Sequence, residues 1–141
     1  MITLLAKGLL AGLFLLAATV KFQDLQGFAA SIRSFHLIPV FIVPFIAATV
    51  PVMEVVFALG QFFRKIGGGA QIGLIWLSGC FVCFYSYSLF TGISPECGCF
   101  GKIAILNVSP MFGFFRASAM FFLSVFLWYL DVRCRATGRL P

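Results

Sequence analysis

Residues 70–90 read AQIGLIWLSGCFVCFYSYSLF, a run of 21 positions without a charged side chain. An α-helix needs about 20 apolar residues to cross the hydrocarbon core of a bilayer, so this run alone predicts a membrane span. Runs of the same kind lie on either side of it. Upstream, apolar residues fill about 40–63 up to Arg64 and Lys65, and about 2–21 up to Gln23 and Asp24. Downstream they fill about 111–131. The pattern predicts an all-α membrane protein, a bundle of four transmembrane helices forming a single domain over residues 1–141.

Composition agrees, with 62% hydrophobic and 10% charged residues among the 141 and a mean hydropathy of +1.09. A water-soluble domain does not carry such a surface. The formal charge of +6 does not point to nucleic acid, because the ten Lys and Arg are dispersed among chain ends and loops. Membrane lipid is the expected surroundings. A cleaved leader is the competing reading of the first run, but no basic region precedes it and Lys7 interrupts it.

Between the first two spans, Asp24 is placed to cap a short helix over about 24–36. Leu25, Phe28, Ala29, Ile32 and Phe35 fall on one side of it. A dozen residues are too few to span, so this helix is expected in the membrane interface, ended by Pro39. Inside the second span, Pro51 is expected to bring a kink.

Orientation follows from basic residues, which are in excess on cytoplasmic loops. One side carries Lys7, Arg64, Lys65, Arg133, Arg135 and Arg139; the other carries Lys21, Arg33, Lys102 and Arg116. Both termini are therefore expected in the cytoplasm. The interfacial helix and the loop after residue 90 are expected on the outer face, where disulfides persist.

That loop reads TGISPECGCFGK from Thr91 to Lys102. A disulfide between Cys97 and Cys99 would close a very small ring, strained and easily reduced, with Gly98 supplying the backbone freedom. Two other readings stay open: unlinked thiols packed in a loop, or a Cu(I) site completed by His36. Of the other cysteines, Cys80 and Cys83 share a face of the third span and are expected to be small packing residues, although a relay role stays open. Cys134 has no evident partner. Nineteen Phe residues would accommodate a quinone, but packing and lipid contact explain most of them.

Glu54 is an acid inside a span, which costs about 2.5–3.5 kcal/mol on insertion scales unless it is paired, neutral or facing water. Counting residues inward from the same side puts Lys7 and Glu54 at similar depth. The two are expected to pair.

Taken together, K-F-x-D at Lys21–Asp24, the Pro39 boundary, P-x-x-E at Pro51–Glu54 and C-G-C-F-G at Cys97–Gly101 resemble the MauE branch of the DoxX-like membrane proteins. The resemblance covers essentially the whole chain, and the cysteine loop is its specific part. It implies a four-helix protein of the bacterial inner membrane associated with thiol–disulfide chemistry. The namesake supports maturation of the disulfide-rich small subunit of methylamine dehydrogenase, alongside a thioredoxin-like partner. Carried over, the redox role falls on Cys97 and Cys99, with Gly98 and Gly101 shaping the turn, while Lys21, Asp24 and Glu54 match motif positions. The expected partners are a periplasmic thioredoxin-like protein or a disulfide-containing client. A non-catalytic assembly factor whose loop clips its own fold is the alternative. A quinone enzyme of the vitamin K epoxide reductase type is more distant, since the one C-x-x-C here lies in mid-span.

Overall fold

The computed structural model describes residues 2–36, 38–63, 65–92 and 110–136. The described residues form five helices in succession, α1 (Ile2–Gln23), α2 (Leu25–Ser34), α3 (Val43–Gly60), α4 (Gly67–Thr91) and α5 (Pro110–Ala136). The described residues contain no strand. All but α2 are long and apolar enough to cross a membrane. The shortest of the four, α3 with 18 residues, extends about 27 Å at 1.5 Å per residue.

The four long helices close into a ring in which α1 and α4 each pack against both α3 and α5. Neighbours run antiparallel. Gln61, just past the end of α3, donates to the carbonyl of Lys7 near the start of α1 at 3.3 Å. Gln71, near the start of α4, donates to the carbonyl of Ser124 in the second half of α5 at 3.2 Å. Lipid tails give no hydrophobic drive for helices to associate, so close approach of small residues and polar bonds between helices must hold such a bundle. The interior is accordingly rich in alanine, with Ala11, Ala17, Ala18, Ala47, Ala58 and Ala117 buried, while Leu5, Phe45, Trp76, Phe90 and Phe122 face outward.

Two apolar clusters fill the ring. One, around Leu10, Phe14, Leu74 and Leu127, lies toward the end that holds Lys7. The other, around Phe28, Ile32, Val43 and Tyr85, lies toward the end that holds α2. Helix α2 is built as its sequence dictates: Asp24 Oδ1 accepts from the Gly27 backbone N–H at 2.9 Å, and Phe28, Ile32 and Phe35 are buried. Phe35 stacks on Phe84 of α4 with ring centroids 3.9 Å apart. The helix stops at His36, which takes a left-handed φ of 51° and donates its backbone N–H to the Arg33 carbonyl at 3.1 Å.

Some boundaries shift from the sequence reading. The glycines at 67–69, just ahead of the run 70–90 read as the third span, already belong to α4. A Cβ at Gly67 would stand 2.9 Å from the Gln61 carbonyl oxygen, and the Gly67 N–H binds the Phe63 carbonyl at 2.7 Å. The turn is thus too tight for a side chain there, and the helix starts inside the glycine run. Helix α3 runs through Pro51 without interruption. Cys80 and Cys83 do not pack inside the bundle as expected. Both are exposed, in an outward groove shared with Trp76, Phe84, Tyr87 and Phe121.

Candidate functional site

The expected pairing of Lys7 with Glu54 is wrong. Lys7 binds Asp131 of α5 at 3.0 Å, and both side chains are half-buried at one end of the bundle. Glu54 instead accepts on Oε1 from Lys21 of α1. The reason lies in the direction of side chains on a helix. Each Cα–Cβ bond tilts toward its own helix N-terminus. In antiparallel α1 and α3, the long Lys21 side chain therefore reaches back toward mid-bundle while Glu54 leans toward the α2 end. Lys7 and Glu54 lean away from each other by the same rule, and the Lys7 carbonyl meets the side chain of Gln61, about two helical turns beyond Glu54.

The Lys21–Glu54 pair is deeply enclosed, with 3% and 1% of the side chains exposed. Two aromatic faces complete the housing of the ammonium group. Its nitrogen lies 4.4 Å from the Phe81 ring centroid and 5.5 Å from that of Phe28. Cation–π contacts of this kind are most favourable when water is excluded. Lys21 is therefore an interior residue and not a flank of the first span.

The pair borders a cavity of about 20 Å³ between the two apolar clusters, lined also by Ser78, Tyr85 and Arg116. Every long helix contributes to it: α1 gives Lys21, α3 Glu54, α4 Ser78 and Tyr85, and α5 Arg116. Ser78 turns its hydroxyl onto the Leu74 carbonyl at 2.6 Å. Arg116 brings a second basic side chain to the same cavity. Glu54 Oε2 is buried and has no hydrogen-bond partner among the described residues.

Glycine determines how α5 meets this chamber. A Cβ at Gly113 would stand 2.6 Å from the Tyr85 ring, so only glycine lets α5 approach with that ring in place.

Sequence reasoning singled out Glu54 and Lys21 separately, and missed Arg116, Tyr85, Ser78 and Asp131. Arg116 carried the same signal as Glu54, a charge several residues inside a span, but was counted among loop-side cations. Asp24, a motif position, serves as the cap of α2. Cys97, Gly98, Cys99 and Gly101 lie outside the described residues. The His36 imidazole sits within hydrogen-bond distance of the Ser34 carbonyl, Nδ1 to O 3.1 Å. Among the described residues, no group of three or more His, Cys, Asp and Glu side chains is arranged to hold a metal.

A family model described as methylamine utilisation protein MauE matches residues 1–130. No curated protein matches the chain, and no solved structure does.

Proposed function

Because this chain is a member of the MauE family, we propose that it takes part in thiol–disulfide exchange on the periplasmic face of a bacterial inner membrane and supports maturation of a disulfide-containing client. The observation that carries this reading is the Cys97-Gly98-Cys99 pair in the connection between α4 and α5, joined to family membership over nearly the whole chain. The client would be periplasmic and of the methylamine dehydrogenase type, and the electron partner a thioredoxin-like protein.

Exchange requires attack of a thiolate on one sulfur of a disulfide, so the reacting pair must be reachable by another protein. A connection between two spans meets that requirement. Cys80 and Cys83 face outward from the middle stretch of α4, where a soluble partner does not reach. The buried pair supports the orientation as well. Lys21 is neutralised inside the bundle, and Arg116 lines the chamber with it. With Lys7 likewise held by Asp131, the basic residues counted at the loops and tail are Arg64, Lys65, Arg133, Arg135 and Arg139 on one side against Arg33 and Lys102 on the other. The positive-inside rule then favours cytoplasmic termini more strongly than the full count does.

The test is the Cys97→Ser, Cys99→Ser double variant in cells that make the client. Loss of correct client disulfides, together with a mixed disulfide trapped by either single variant and identified by mass spectrometry, is expected. Normal client disulfides in the double variant would overturn the redox reading and leave a non-catalytic assembly factor.

A further inference from the structure

We propose that the chamber among α1, α3, α4 and α5 is a binding site for one water molecule, held on Oε2 of Glu54. The inference stands apart from the cysteine chemistry. Oε1 of Glu54 is taken by Lys21, whereas Oε2 is buried without a hydrogen-bond partner among the described residues. Buried carboxylate oxygens are rarely left so, because desolvation without a replacement bond is costly. The adjoining cavity measures about 20 Å³. A single water needs roughly 10–15 Å³ of such space and two to four polar neighbours. Two such groups line the cavity, the Glu54 carboxylate and the Ser78 hydroxyl, whose proton goes to the Leu74 carbonyl and whose oxygen is left to accept.

The chemistry of the lining selects the ligand class. An orphaned carboxylate oxygen requires a hydrogen-bond donor. Lys21 and Arg116 disfavour a further cation at the same place, which rules out an ammonium group and a metal ion. The space of about 20 Å³ beside Glu54 matches a group the size of water. A neutral donor the size of water meets all three conditions.

X-ray radiolytic footprinting of the full-length protein in nanodiscs tests this, because radicals formed from a bound water oxidise the side chains beside it. Met120 lines the chamber, while Met53 is half-buried on α3 and does not line it. Met120 is expected to be oxidised several-fold faster than Met53, and to fall to the Met53 rate in the Lys21→Met, Glu54→Leu variant. Equal rates for the two methionines in the wild-type protein would overturn the proposal. So would rapid Met120 oxidation that persists in the variant. Should that variant fail to assemble, the wild-type ratio decides alone.

Discussion

At the scale of single residues, the bundle is set by which charges meet inside it. A buried ion pair gains little over a well-packed apolar pair, but leaving one member alone costs about 3–5 kcal/mol. Lys21→Met should therefore destabilise strongly, and Lys21→Met, Glu54→Leu together should recover most of the loss, measured by thermal unfolding in detergent. Lys7→Met should cost much less, since Lys7 and Asp131 are only half-buried and Asp131 lies near the end of α5. Equal costs for the two lysine variants would contradict the burial described. The presence of an intramembrane acid in need of a partner was legible from Glu54 alone. The partner was not, because depth counted along a sequence omits the direction in which each side chain leans, and that direction separates Lys21 from Lys7.

At the scale of elements, local sequence signals proved sufficient where they act within a few residues. The cap of α2 was legible because Asp24 and the periodic apolar residues after it act locally. Asp24→Ala is expected to cost about 0.5–2 kcal/mol, the usual worth of such a cap, and Asp24→Asn much less. His36 ends the same helix in a left-handed conformation that costs an ordinary L-residue about 1–2 kcal/mol. His36→Gly should be tolerated and His36→Val should destabilise. Contacts between helices were less legible. Nothing in the local pattern marks Gly113 as the place where α5 closes on the Tyr85 ring. Gly113→Ala should force that ring aside at about 1–3 kcal/mol, the range for overpacking, whereas Gly12→Ala, with open space around the added Cβ, should be neutral or better. A thermal shift no larger for Gly113→Ala than for Gly12→Ala would count against this account of the α4–α5 contact.

At the scale of the whole molecule, four spans and a short α2 were legible from hydropathy because a bilayer imposes length and satisfied backbone bonding on whatever crosses it. The order of packing around the ring was not, since it depends on which small residues and polar side chains meet. The outward position of Cys80 and Cys83 belongs to that class: spacing put them on one face of α4 but did not say which way the face turns. The central claim is that the other cysteine pair is a reversible disulfide open to the periplasm. The most direct measurement is labelling of sealed spheroplasts with a membrane-impermeant maleimide, in a Cys80→Ala, Cys83→Ala, Cys134→Ala background that leaves only Cys97 and Cys99. The account predicts no labelling before mild reduction and labelling of both thiols after it. Labelling without reduction would show unlinked thiols, and labelling only after the membrane is broken would place the pair on the other side; either result contradicts the claim.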